Sequence, residues 1–251
     1  MQQYFLPTLR DKMNHTIFIT GDDARHISRV MRMKPNDRIV CVTKDGFSAL
    51  CEIVRLTDQS VQCRILEWIE FHSELPVTVV LANGLPKGDK MEMIVQKGTE
   101  LGAAKFIPFN AARSVVKWDE KKIQKKIERW NKIAKEAAEQ SHRNKIPEVL
   151  KPFSFQEMIA CARKADVKIV AYEESAKSGE VKRLYQALNS LKMGETLFAV
   201  FGPEGGFAKE EIEELVREGF ITCGFGPRIL RTETAPLYLL SAVSYHFELM
   251  R

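Results

Sequence analysis

Apolar and small positions recur at steps of four, three, four, three and four through Ile123, Ile127, Trp130, Ala134, Ala137 and Ser141. That spacing predicts one amphipathic helix from Asp119 to about Ser141. Pro147 then ends the element, because the residue before a proline is pushed into extended backbone. Elsewhere short apolar runs alternate with helical patterns. Residues 77–82, 106–109, 167–172, 197–201 and 220–223 read as strands, and residues 90–101, 155–164, 181–191 and 237–249 as helices. Met91, Ile94, Val95 and Leu101 form one buried helical stripe capped by Gly102, and Leu237, Leu240, Val243, Ser244 and Phe247 form another. Strands alternating with helices predict an α/β domain built on a parallel sheet.

Residues 1–70 follow another pattern. Residues 38–43 and 47–56 read as strands joined at Lys44-Asp45-Gly46, where Asp-Gly is a hairpin signal, and 61–69 reads as a third. Helix is expected only over 24–33, ending before Pro35. This is the pattern of a small β-barrel or curled sheet. Arg25, Arg29 and Arg32 fall on one face of that helix, with Ile27, Val30 and Met31 on another. Residues 71–76 read as a linker between the two patterns.

Residues 196–236 are the stretch around which the chain is organised. The run 197–201 suits a strand buried on both faces and breaks into GPEGGF, where Gly202, Gly205 and Gly206 permit close approach of backbone to a ligand. Glu210 and Glu211 open the next helix, where acidic groups favour the dipole. A second strand breaks at Gly224, Gly226 and Pro227, with Thr234 as N-cap and Pro236 in the first turn of the last helix. Two such loops after consecutive parallel strands predict one small-molecule site at the carboxyl edge of the sheet. Tyr172 and Glu173 end a neighbouring strand and border the same edge. GPEGGF has no GK[ST], and no GxGxxG opens a helix, so neither a nucleoside triphosphate nor a dinucleotide is the expected ligand. Glu204 with no nearby lysine fits a ligand other than a polyphosphate.

Charge and cysteines narrow the class. The chain of 251 residues carries 38 Lys and Arg against 33 Asp and Glu, a formal +5. Residues 113–145 alone hold eleven basic and five acidic residues. Lys121, Lys122, Lys125, Lys126, Arg129, Lys132 and Lys135 are then either a solvated helical face or a phosphate-contacting track. Five cysteines form no CxxC pair, which fits reduced thiols in the cytoplasm. No signal peptide pattern opens the sequence, and no apolar run reaches the ~20 residues of a membrane span. His15, His26, His72, His142 and His246 are scattered without metal-ligand spacing, and no GxSxG elbow is present. A backbone-lined pocket for group transfer remains.

GPEGGF at 202–207, FGPRILRTETA at 225–235, QKGTELG at 96–102 and EQSHRNKIPE at 139–148 together resemble the bacterial RsmE-type 16S rRNA uracil-N3 methyltransferases of the SPOUT superfamily. The resemblance covers most of the chain. It implies an α/β fold with a C-terminal SPOUT-type parallel sheet tied in a trefoil knot over 73–251, and a PUA-like RNA-binding β-barrel over 1–72. It implies S-adenosyl-L-methionine as cofactor, held by Tyr172, Phe201, Gly202, Gly205, Gly206, Phe225, Gly226, Ile229, Leu230, Thr232 and Ala235. The substrate implied is one uridine in the decoding region of 16S rRNA, within the 30S subunit, met by a homodimer in the cytoplasm without metal or membrane.

Methyl transfer to uracil N3 needs alignment, loss of the N3 proton and stabilisation of charge on O2 and O4. Arg228 and Arg231 are the candidate anion stabilisers, and Glu204 and Glu233 the candidate bases. Glu204 could instead bind loop amides, and Glu233 could brace the last helix; Glu100 and Arg143 could act as positioners. Arg10, Arg25, Arg29, Arg32, Arg113 and Arg143 are the candidate RNA contacts. Ala208 stands where the family often has Ser or Thr, a loss of about 1 kcal/mol of helix capping. The competing readings are a SPOUT methyltransferase acting on another RNA and a non-catalytic ribosome-associated RNA-binding protein.

Overall fold

Antiparallel pairing dominates the first part of the chain and parallel pairing the rest, and the two parts form separate units. A computed structural model describes residues 1–13, 15–57, 59–70, 72–114, 120–174 and 182–250, with Glu120 by its backbone alone. The predicted helix starts at Asp119 and Val181, linker residue Phe71 and the Ser178-Gly179 break lie outside the described residues. One unit comprises Met1–Glu74 with Ala138–Lys145, and the other Leu75–Ala137 with Ile146–Arg251.

In the first unit, β1 (Gln3–Phe5), β2 (Thr16–Thr20), β3 (Arg38–Val42), β4 (Ser48–Leu56) and β5 (Ser60–Ile69) form one sheet in the order β1-β3-β4-β5-β2. The β3–β4 hairpin turns at Asp45-Gly46, with Gly46 at φ +87°, a region that glycine enters without strain. Register shifts between Leu50 and Cys51 and between Ile53 and Arg55 kink β4, the kind of irregularity that curls a sheet around its core. That core packs Tyr4, Ile17, Ile19, Ile27, Ile39 and Ile53 with three buried thiols, Cys41, Cys51 and Cys63. All five cysteines are free, and burial pushes the Cys63 thiol up to about 12, so this thiol is packing material and a poor nucleophile.

The helix expected over 24–33 starts earlier and stops sooner. Gly21–Arg25 is α-helical, His26–Val30 widens into a π-turn, and Arg32 has φ +51°. Arg32 therefore leaves the helical face that Arg25 and Arg29 were expected to share with it, and Arg25 pairs with Asp22. Arg143 departs further from expectation. It is 3 % exposed and paired with Glu74, so it braces this unit and presents no guanidinium to RNA. Glu74 also accepts from the backbone N–H groups of Asn144 (3.0 Å) and Lys145 (3.1 Å), and Asn144 Nδ2 donates to Gly46 O and Ser48 Oγ. These bonds assign 138–145 to the first unit, although the sequence pattern runs it on from the basic helix.

The second unit is a seven-stranded sheet with every pair parallel. Its order is β12 (Ile221–Cys223), β10 (Val167–Ala171), β11 (Thr196–Phe201), β6 (Thr78–Gly84), β7 (Lys105–Asn110) and β8 (Glu148–Val149), with β9 (Phe153–Ser154) also on β7. β11 is buried on both faces, as its apolar run requires. Leu197, Ala199 and Phe201 join one core with helices Lys90–Glu100, Glu120–Gln140, Arg183–Ser190 and Thr234–Ser244. Phe198 and Val200 join the opposite core with helices Phe155–Ala162 and Lys209–Arg217. Trp130, Ala134 and Ala137 are buried along the long helix, in the predicted stripe.

Glu74→Ala removes the carboxylate that pairs with the buried Arg143 guanidinium and accepts from the Asn144 and Lys145 N–H groups, and removing one partner of a buried pair costs about 3 kcal/mol. Urea unfolding followed by circular dichroism should show that loss.

Candidate active site

Parallel strands send all their carboxyl ends to one edge of the sheet, and the two Gly-rich loops leave from that edge. The strands β11 and β12 are not neighbours; β10 lies between them, so the loops flank the end of β10. A cavity of about 930 Å³ opens there, within the size of pockets that take a drug-sized ligand.

Most of the predicted residues meet in this cavity. Tyr172, Phe201, Gly202, Gly205, Gly206, Phe225, Ile229, Leu230, Thr232 and Ala235 line it, as do Glu204, Arg228 and Arg231. Phe201 and Phe225 meet edge to face with centroids 5.9 Å apart, and Thr232 Oγ1 donates to Gly202 O at 2.8 Å, which ties the second loop to the first. Gly226 forms the turn between Phe225 and Pro227 at φ +85°, where a side chain is strained whatever the space. Gly206, at φ +67°, has no atom within 4 Å of the place a Cβ would take. Glycines on positive φ beside open space, with aromatic and aliphatic walls, fit a nucleoside-sized ligand held largely by backbone. Arg228 and Arg231 are exposed at the cavity, and among the described residues neither guanidinium has a hydrogen-bond or ion-pair partner.

Three expectations change. First, Glu204 does have a lysine. Lys90, the first residue of the helix after β6, places Nζ 2.9 Å from Glu204 Oε1 and 3.3 Å from Glu233 Oε2. Glu204 Oε1 also accepts from the Lys87 N–H at 3.1 Å. Burial pushes the Glu204 carboxyl up, but the Lys90 ammonium and the loop amides outweigh it and hold the group below the ordinary carboxylate range. Lys90 is raised, first by its bond to Glu204. Glu233 Oε2 is buried without a hydrogen-bond partner, since Lys90 meets it as an ion pair off the hydrogen-bonding line. Glu233 also holds the N-cap position expected for Thr234, with no capping bond from its side chain.

Second, Arg113, a candidate RNA contact, lies on the cavity wall, where its Nη1 donates to Gly205 O at 3.1 Å. Third, Ala208 has no side-chain oxygen, and Glu211 takes over the start of the acidic helix. Its Oε2 accepts from Ala208 N and its Oε1 from Ala112 N, both at 2.8 Å, so it also pins the segment before Arg113. Lys90 was missed in the sequence; the signal was Asn83-Gly84 and Lys87-Gly88, a third glycine loop leaving the same sheet edge. Glu100 pairs with Lys97 on its own helix, and the cavity does not include it.

Among the other predicted residues, Arg10 lies over both Phe47 (4.7 Å to the centroid) and Trp68 (4.6 Å) at the surface of the first unit. Among the described residues no group of three His, Cys, Asp or Glu gathers for a metal, and no helix is long and apolar enough to cross a membrane.

Comparison with known proteins agrees with this geometry. Residues 73–244 match an RNA methyltransferase domain and residues 19–66 an RNA methyltransferase PUA domain. The chain is 53 % identical to ribosomal RNA small subunit methyltransferase E of Bacillus subtilis, over 100 % of this chain and 99 % of that one. It is 31 % identical to the protein of the same name from Mycobacterium tuberculosis, over 96 % and 90 %. A crystal structure of ribosomal RNA small subunit methyltransferase E from Neisseria gonorrhoeae, bound to S-adenosyl methionine, superposes with a TM-score of 0.82 at 27 % identity over 97 % of each chain. Two matched domains in order and full-length identity place this chain in the ribosomal RNA small subunit methyltransferase E family.

Proposed function

We propose that this protein transfers a methyl group from S-adenosylmethionine to N3 of one uridine in the decoding region of 16S rRNA, acting on the 30S particle. The observation that carries this reading is the pair of arginines, Arg228 and Arg231, unpartnered among the described residues, at a glycine-lined cavity in a chain of this family. The donor supplies an already activated methyl on a sulfonium. Tyr172, Phe201, Phe225 and Leu230 give the cavity its apolar walls, and the loops at Gly202–Gly206 and Phe225–Thr232 would hold the donor by backbone. Arg228 and Arg231 are placed to stabilise negative charge on uracil O2 and O4 as the N3 proton leaves. Glu204 and Glu233 both face Lys90, and the Lys90 ammonium and loop amides that hold Glu204 below the ordinary carboxylate range make it a weaker base for the N3 proton.

The remaining parts of the reading rest on the resemblance: a trefoil knot through the cofactor loops, a homodimer, and a PUA-like first domain that grips RNA backbone. Arg10, Arg25, Arg29 and Arg32 are exposed, and in this reading they contact phosphates and position a shaped RNA while one base enters the cavity.

Two outcomes are expected. Gly226→Val should weaken S-adenosylmethionine binding at least ~10-fold in titration calorimetry, because a β-branched residue strains the φ +85° turn; circular dichroism should stay near wild type. Nucleoside mass spectrometry should find 3-methyluridine after incubation with 30S particles from a strain lacking the activity, and much less with protein-free rRNA. Arg231→Ala should lower that yield about 100-fold, the scale of losing one transition-state donor, while donor binding persists. A ribose-methylated or C5-methylated product rejects the uracil-N3 assignment, and no methylation with firm RNA binding favours the non-catalytic alternative.

A further inference from the structure

Glu204 on the cavity wall and Glu233 beside it come from two different loops and face one ammonium, that of Lys90. Glu204 sits in the loop after β11, and Glu233 follows the loop after β12. Lys90 belongs to neither; it arrives from the end of β6. The three meet because backbone packs there without room to spare. A Cβ on Gly84 would lie 2.5 Å from Pro203 Cδ and 2.8 Å from Pro203 N, so the exit of β6 runs directly against the GPEGGF loop. From that contact Pro86-Lys87-Gly88-Asp89 carries the chain to Lys90, whose side chain is 29 % exposed beside Glu204 at 31 % and Glu233 at 13 %.

We propose that Lys90 is a positioning residue for the donor: by holding Glu204 and Glu233 on one ammonium it fixes the two cofactor loops at the spacing that binds S-adenosylmethionine. The inference rests on the functional reading above, which makes this cavity the donor site. Two half-buried carboxylates facing the same point repel each other, and without a cation one of them protonates or turns away. Either response moves a loop, since Glu204 also holds the Lys87 N–H and Glu233 stands at the head of the last helix. The raised Lys90 and lowered Glu204 agree with a shared charge. The Thr232–Gly202 hydrogen bond is a second tie between the loops and is independent of charge, so loss of Lys90 should loosen the site without unfolding it.

The test compares wild type, Lys90→Met, Lys90→Arg and the double variant Lys90→Met/Glu204→Gln by titration calorimetry with S-adenosylmethionine across neutral pH, with circular dichroism as the check on folding. Lys90→Met should weaken donor binding about tenfold and make it newly pH-dependent, as the two facing carboxylates lose their shared cation. Lys90→Arg restores the charge and should bind within about threefold of wild type. The double variant removes the uncompensated carboxylate and should recover part of the affinity and lose the pH dependence. Packing alone would not respond to Glu204→Gln in this way. Unchanged binding in Lys90→Met, or a double variant as weak and as pH-dependent as Lys90→Met, overturns the proposal. Should Lys90→Met fail to fold, Lys90→Arg carries the decision, and a loss beyond tenfold there overturns it. Wild type that binds no donor sinks the functional reading and this inference with it; wild-type binding with an indifferent Lys90→Met sinks the inference alone.

Discussion

The site depends on the close approach of β6 and β11, the paired strands at the middle of the parallel sheet. Their register sets Asn83 against Phe201, and one residue on, Gly84 lies against Pro203 with no space for a side chain. That contact decides where GPEGGF can run and brings Lys87 and Lys90 to Glu204. Because all strands are parallel, the ends of β10 and β12 reach the same edge, and Tyr172 and the second loop close the cavity.

Charge in this protein does two separate kinds of work. At the cavity, Lys90 gathers carboxylates while Arg228 and Arg231 are left unpartnered among the described residues, so the neutralised and the available charges are sorted by place. In the first unit, Arg143 spends its charge on Glu74 inside the fold, where a buried pair specifies the path of 138–145. Arg10 is between these cases. Its guanidinium is laid over Phe47 and Trp68, yet it remains exposed. A count of basic residues along 113–145 treats all such arginines alike, and so does not separate Arg143, buried against Glu74, from Arg113 on the cavity wall.

Short strands escaped the sequence pattern for a related reason. β1 has three residues and β2 five, and β2 reads Thr-Ile-Phe-Ile-Thr with only Ile17 and Ile19 turned inward. Alternation over so few positions is weak until a neighbouring strand supplies the pairing, here β5 for β2 and β3 for β1. The break at Arg32 was hidden as well, since a spacing of seven cannot register a turn of helix that widens.

The sequence by itself determined the α/β class, the long amphipathic helix with Trp130 inside, the doubly buried strand β11 and the two glycine loops that line the cavity. Each is a local matter, because period, turn chemistry and φ preference act over a few residues. The tertiary structure alone decided which charges meet. Lys87 reaches Glu204 across 117 positions of chain, and Arg143 reaches Glu74 across 69. Such pairs are set by strand order and register, and no local pattern in the sequence encodes which distant side chain the register delivers.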